Sequence, residues 1–417
     1  MKFALASYGT RGDIEPSIAV GRELLRRGHD VRIAVPPNLV GLVEAAGLGA
    51  IAYGPNQQEG FWDADFLRRF WRIKDLIRMW REAQEQLTRS WADMSTTLMA
   101  LADGADLLFT GPGFPAIPAH VAEYYDIPLA TMHYFPMRPN GQLAPSLPSP
   151  VVRFAMTVLD WPQWWVTKRA EDAQRVELGL PKAKGPVPQR ITARGSLEIQ
   201  AYDEVCFPGL AAEWAKWDGQ RPFVGTLTME MTTDADAEVA SWIAAGTPPI
   251  CFGFGSTAVK SPAETVEMIG AACAQLAERA LVCSGWSDFS DVPHADHVKV
   301  VGAVNYAAVF PTCRAVVHHS GAGTTAAGLR AGVPTLSLPS TGDQKIWGAQ
   351  VKRLKVGTSR RFSTTTRDSL VADLRQILAA EYVTRARELA TRMTAPAESA
   401  ANTADLLEKF ASTRHFN

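Results

Sequence analysis

At 417 residues with 47% hydrophobic side chains, the chain is long enough for two full cores, and the length prior favours two or three domains. Its 42 basic and 43 acidic side chains leave a net charge of −1, which excludes a general electrostatic field for nucleic acid or anionic lipid. Five cysteines, Cys206, Cys251, Cys273, Cys283 and Cys313, are odd in number and contain no C-x-x-C, so a disulfide framework and a zinc cage are not expected.

The chain opens on a short apolar strand, Phe3-Ala4-Leu5-Ala6. Helical periodicity follows from Ile14 to Arg27, on Ile14, Ile18, Leu24 and Leu25, and ends at Gly28. Val31 to Val35 is the next strand; Leu39 to Ala46, Ala50 to Tyr53, Asp106 to Phe109 and Leu129 to Met132 continue the alternation. Strands separated by helices of this length predict a parallel sheet wound on both sides. A linker is expected between about 200 and 245, where Phe207-Pro208-Gly209 and Asp218-Gly219-Gln220-Arg221-Pro222 fall. The strand and helix alternation restarts at Pro249 to Phe254 and goes on through Ala280 to Cys283, Val298 to Val301, Ala315 to Val317 and Thr335 to Leu338. After residue 366 the chain reads as helices, with a break at Pro396-Ala397-Glu398. Two such halves predict two doubly wound domains whose ligands bind beyond the carboxyl ends of the strands.

The most informative stretch is Val317-His318-His319-Ser320-Gly321-Ala322-Gly323-Thr324-Thr325. A β-branched run stops at two histidines, enters a loop of small residues and resumes as a helix ending at Gly332-Val333-Pro334. Small residues let backbone N–H groups converge at a helix N-terminus, where the dipole favours negative charge, so a phosphate or diphosphate is the expected ligand. Gly321-x-Gly323 lacks the third glycine of a dinucleotide fingerprint, and no Gly-Lys-Ser/Thr of a P-loop is present.

His319, Gly332-Val333-Pro334 and then Asp343-Gln344 resemble the donor-binding signature of glycosyltransferase family 1. The resemblance implies α/β architecture of the GT-B type: two doubly wound Rossmann-like domains facing across a cleft, with a C-terminal helix crossing back to the first. It implies an acceptor-binding domain over 1–215, a nucleotide-sugar-binding domain over 216–395 and the returning helix over 396–417. Carried onto this sequence, His319, Ser320, Gly321, Gly323 and Thr324 face the donor diphosphate, and Asp343 and Gln344 the sugar. Gly253-Phe254-Gly255-Ser256-Thr257 resembles the family's Gly-Ser turn, which adds Gly255 and Ser256 to the diphosphate set. Trp286 and Val304 are expected near the nucleoside; Val304-Asn305-Tyr306 departs from the usual segment and leaves uridine and thymidine both open.

Gly12-Asp13-x-x-Pro16 has an aspartate where plant members of the family carry a catalytic histidine, as in bacterial antibiotic and sterol glycosyltransferases. Asp13 is therefore the candidate base, while an aspartate here is also a good helix cap. Thr10, in the same loop, is expected to approach the diphosphate. The implied reaction is inverting sugar transfer without metal or other cofactor. Taken together, the Ala6 to Pro16 and His318 to Thr325 runs look most like mycobacterial glycopeptidolipid glycosyltransferases, which implies a 6-deoxyhexose such as rhamnose or 6-deoxytalose from a dTDP- or UDP-sugar. A sterol or antibiotic aglycone as acceptor, and a non-catalytic auxiliary partner, are the competing expectations.

Two aromatic-rich stretches interrupt the regular pattern, Gln58 to Trp91 and the Trp161, Trp164, Trp165 group. Their helical spacings fit core packing; in the family such insertions form the acceptor pocket, so Trp62, Phe66, Trp71 and His133 are expected to line it and a large amphipathic or lipidic acceptor to fill it. Asp63-Ala64-Asp65 and Asp234-Ala235-Asp236 match D-x-D, but neither follows a strand, and both are expected to be solvated acidic pairs rather than metal ligands. No secretory leader and no run of 18 apolar residues is evident. The expectation is a cytoplasmic chain, peripherally associated with the inner face of the plasma membrane, that does not bind nucleic acid.

Overall fold

A computed structural model of the chain describes residues 1–56, 76–144, 146–255, 259, 261–285, 287, 289, 292–340 and 342–413, with side chains of 76–87 outside the description. It divides into two compact units: Met1–Ala201 with Gly209–Leu227 and Pro396–Asn417, and Tyr202–Pro208 with Thr228–Ala395.

The first unit is built on β1 (Lys2–Ala6), β2 (Asp30–Val35), β3 (Gly49–Ala52), β4 (Leu107–Thr110), β5 (Leu129–His133) and β6 (Leu197–Gln200). They form one parallel sheet in the order β3-β2-β1-β4-β5-β6. β4 and β5 are buried at every residue, which a strand covered by helices on both faces requires. Helix Arg11–Arg26 returns the chain from β1 to β2, and Leu76–Ala102, Ala116–Tyr124 and Ser149–Glu177 pack further round the sheet. The last helix, Pro396–Thr413, docks on Arg11–Arg26 within this unit. Arg27 clamps it, with Nη1 donating to Asp405 at 2.5 Å and Glu408 at 2.8 Å. This is the returning C-terminal helix the resemblance implies.

The second unit repeats the design with β7 (Ile250–Gly253), β8 (Ala280–Cys283), β9 (Val298–Val301), β10 (Ala315–His318), β11 (Thr335–Ser337) and β12 (Gly357–Ser359). Its parallel order is β12-β11-β10-β7-β8-β9, the first sheet's order with each strand shifted by six. In both sheets the order reverses at a pair of adjacent strands, β1 with β4 and β10 with β7. Crossovers leave a sheet to opposite sides at such a pair and open a crevice at the strands' carboxyl ends, where ligands of doubly wound folds bind. Ile250, Phe252, Val282, Val317 and Leu336 form the core beneath. All five cysteines are buried and free. Among the described residues no helix is long and apolar enough to cross a membrane.

Candidate functional site

In the second unit the switch-point strands end on the predicted donor loop. His318 lies opposite Gly253 in the β10–β7 register, so the turn after β7 and the loop after β10 emerge side by side. Helix Ala322–Arg330 starts at Gly321, and no side chain caps it. Its first N–H groups have no intrahelical partner, and among the described residues no acidic side chain lies in its first turn. Thr325 sits one step deeper: its hydroxyl and its N–H both bond the Gly321 carbonyl, at 2.8 and 2.9 Å.

His319 is wedged between two glycines. A Cβ on Gly255 would stand 2.5 Å from its Cε1, and one on Gly321 would stand 2.6 Å from its Nε2, so neither position admits a side chain. Gly255 also has φ +57. Burial lowers the pKa of His319, with a hydrogen bond to the Gly253 backbone and then the Asp343 charge acting in the opposite sense. Burial therefore favours the neutral imidazole.

Ser320 is fully buried, and Gly323 and Thr324 lie half-buried in the first turn. Asp343 and Gln344 occupy the first turn of helix Gly342–Arg353; Asp343 is exposed, and Gln344 Oε1 accepts the Ser340 N–H at 2.8 Å. Val304 is buried just before Asn305, which caps the short helix Tyr306–Val309 through its side chain. Tyr306 ends the Val304-Asn305-Tyr306 segment, and a Cβ on Gly253 would lie 2.9 Å from its hydroxyl, which brings that phenol to the end of β7. Ser256 and Trp286 lie outside the described residues, as do Trp62, Phe66 and Trp71 with the Asp63-x-Asp65 motif.

In the first unit, the turn after β1 carries Asp13 at the third position of helix Arg11–Arg26. Its Oδ2 accepts the Thr10 N–H at 2.7 Å and the Thr10 hydroxyl at 3.0 Å, which closes a capping box. The carboxylate lies flat over Gly9, where a Cβ would meet Oδ2 at 2.3 Å and where φ is +151. Tyr134, just after β5, donates to the Asp13 carbonyl at 2.7 Å; burial and the Asp13 charge hold its hydroxyl well above the ordinary phenol range. Thr10 is thus engaged with Asp13, Gly9 of the same loop lies beneath the carboxylate, and Tyr134 joins the constellation unannounced by any motif.

His133 is buried at 3% exposure at the end of β5. Its Nδ1 faces Gln200 Nε2 at 3.3 Å, and burial with the charges of Arg138 and Arg221 drives its pKa well down. Both arginines pair with the buried Glu198, at 2.6 and 3.3 Å. The second D-x-D is structural at its distal end, since Asp236 accepts Thr233 N–H and hydroxyl, both at 2.7 Å, and the Asn305 N–H at 2.9 Å.

Two family models match the chain: the Glycosyltransferase family 28 N-terminal domain over residues 3–142, and the Erythromycin biosynthesis protein CIII-like, C-terminal domain, over residues 257–409. An uncharacterized glycosyltransferase of Mycobacterium tuberculosis is 62% identical over 410 residues, spanning 98% of both chains. Among solved structures, the glycotransferase of kitacinnamycin matches at a TM-score of 0.70 and 18% identity, over 98% of this chain and 99% of that one. Glycosyltransferase VinC in complex with dTDP matches at 0.64 and 16%, over 99% and 100%. These structural likenesses carry the fold, and the 62% relative carries the family. A repeated doubly wound sheet, an uncapped helix at the second switch point and near full-length identity to a glycosyltransferase converge: the chain belongs to the nucleotide-sugar-dependent glycosyltransferases of the GT-B fold.

Proposed function

We propose that this glycosyltransferase moves a 6-deoxyhexose, such as rhamnose or 6-deoxytalose, from a dTDP- or UDP-sugar to a hydroxyl of a large amphipathic acceptor such as a glycopeptidolipid. Transfer inverts the anomeric centre and requires no metal. Residues 216–395 bind the donor, residues 1–215 the acceptor. The observation that carries the reading is the uncapped N-terminus of helix Ala322–Arg330, with a neutral His319 set between Gly255 and Gly321.

The acceptor oxygen attacks the anomeric carbon, and the carbon–oxygen bond to the diphosphate breaks with its electron pair passing to the phosphate. Amides of the 321–324 turn and the His319 N–H stabilise the charge that develops there. Asp13 takes the hydroxyl proton, late in a dissociative transfer, so a modest basicity suffices. Asp343 and Gln344 hold sugar hydroxyls, and Val304 and Trp286 flank the nucleoside.

An amphipathic acceptor is supported by helix Ser149–Glu177. Phe154, Leu159 and Trp165 are 72%, 67% and 66% exposed, with Val151, Val158, Trp161 and Val166 also outward. Arg153 of the same stretch turns instead to Glu213 at 2.8 Å. A contiguous apolar face of this kind on a water-soluble surface marks a binding or membrane-contact region. It supports peripheral membrane contact by the working enzyme.

Calorimetric titration with dTDP, UDP and GDP, followed by NMR of the glycoside formed from the matching sugar, tests the reading. Binding of dTDP or UDP and a product of inverted anomeric configuration are expected. Absence of binding to any of the three, or retention of configuration, would overturn it.

A further inference from the structure

The donor loop carries two successive histidines, and the proposed mechanism uses only the second. His318 ends β10 with 1% exposure. Its backbone is pinned, since its carbonyl accepts the Leu338 N–H at 2.8 Å. Its ring does something specific: Nδ1 accepts the backbone N–H of Ser320 at 2.9 Å. Ser320 has φ +69, a left-handed conformation that a residue with a Cβ adopts only when its surroundings hold it there. The imidazole thus closes a tight turn around His319, as an Asn side chain does when it bonds the N–H two residues on.

Accepting that bond requires a lone pair on Nδ1 and so places the ring proton on Nε2. Burial, with a smaller contribution from His319, lowers the His318 pKa to about 3, so the acceptor survives at every working pH. The consequence falls on the neighbour. His319 has no room to drift, with Gly255 on one side and Gly321 on the other, and the turn at Ser320 decides where its ring stands between them.

Resting on the donor-site reading above, we infer that His318 is a positioning residue whose Nδ1 sets the left-handed turn at Ser320 and thereby aims His319 and the amides of 321–324 at the donor diphosphate. It does not touch the donor; it acts through the backbone. This role separates the two histidines by chemistry: one donates to the ligand, the other accepts from the chain.

Two substitutions split the roles of the ring nitrogens. His318→Asn puts an amide oxygen where Nδ1 stands; His318→Gln puts its polar atoms where Nε2 stands. Affinity for dTDP and UDP by calorimetry, KM for donor and acceptor, kcat and Tm are measured for both. Asn is expected to keep donor affinity within about threefold, while Gln loses about tenfold, the scale of one hydrogen bond. The loss should appear in donor KM and not in acceptor KM. Equal affinities for the Asn and Gln variants, or losses that simply follow Tm, would overturn the inference. Were His318→Gln not to fold, His318→Ala carries the test: donor affinity about tenfold below that of His318→Asn, with acceptor KM unchanged, supports the role, and equal donor affinities overturn it. Wild-type protein that binds neither diphosphate would instead overturn the donor reading, so the two failures are distinguishable.

Discussion

The turn after β1 and the loop after β10 occupy equivalent places in two sheets of the same strand order, yet they treat the helix that follows in opposite ways. After β1 the chain fills its own helix N-terminus: Asp13 lies on Gly9, accepts from Thr10 and supplies the negative charge that the dipole favours. After β10 the helix starts at Gly321 with no side-chain cap, and the adjoining imidazoles are held neutral by burial. One helix N-terminus is filled by an internal carboxylate, and the other has no side-chain cap among the described residues. In the proposed reading the first turn presents the base and the second the diphosphate site.

The largest test of this contrast is Asp13→Asn. Asparagine retains an oxygen for the Thr10 N–H and is as good a cap as aspartate, so stability should change by a few tenths to about 1 kcal/mol. General-base catalysis contributes about 10²–10⁴-fold, so transfer should fall by that factor while the affinity for the nucleoside diphosphate holds. A variant that transfers sugar at the wild-type rate, or whose loss follows its melting temperature, would reduce Asp13 to a cap. His319→Ala probes the open copy. Removal of a hydrogen bond to a charged group is worth about 1.5–3 kcal/mol of nucleotide binding. Calorimetry with unchanged affinity for the correct diphosphate would take His319 out of the site.

Much of this contrast was legible in the residues, because strand periodicity and small-residue loops are local signals. β1 to β5 and β7 to β11 fall on runs that read as strands, β6 does not, and helix Ala322–Arg330 falls on the stretch after the two histidines. β12, Gly357–Ser359, was not legible: three residues without an apolar run take strand form only because β11 pairs with them. Tyr134 and the Nδ1 of His318 were likewise invisible, since each matters through a partner brought up by the fold rather than by spacing along the chain. Trp164 shows the converse. It is buried while Trp161 and Trp165 on the same helix are exposed, so the cluster that reads as one aromatic group divides between core and surface.

Neutral buried histidines give the two units a shared weakness that pH can expose. Burial lowers His120 in the first unit and His318 in the second to about 3, against an ordinary value near 6.5 for an unfolded chain. Below pH 6.5 the unfolded chain takes up protons that the folded chain accepts only near pH 3. Each residue's contribution is therefore intact above pH 6.5 and is lost as pH falls towards 3, by up to about 1.4 kcal/mol per pH unit. Denaturant unfolding at pH 7 and pH 5 should show lower stability at pH 5, and His318→Asn should flatten that dependence. A slope identical in wild type and variant would mean that His318 does not stay neutral in the folded chain.

The smallest expected effect is none, and it concerns the cation. In metal-dependent sugar transfer a divalent ion on two carboxylates neutralises the leaving diphosphate. Here that charge is assigned to the helix N-terminus after β10 and to His319, and the D-x-D within reach of description is already committed. Asp236 uses both carboxylate oxygens to accept from Thr233 and Asn305, and a cation there would have to break bonds that tie the start of helix Asp236–Ala244 to the segment after β9. Turnover in excess EDTA should equal turnover in buffer, with and without added Mg²⁺. Activity lost on chelation and restored by Mg²⁺ or Mn²⁺ would break the comparison at its root, because the open copy would then need an ion to do what its amides are proposed to do, and Asp63 and Asp65 would become the first carboxylates to substitute.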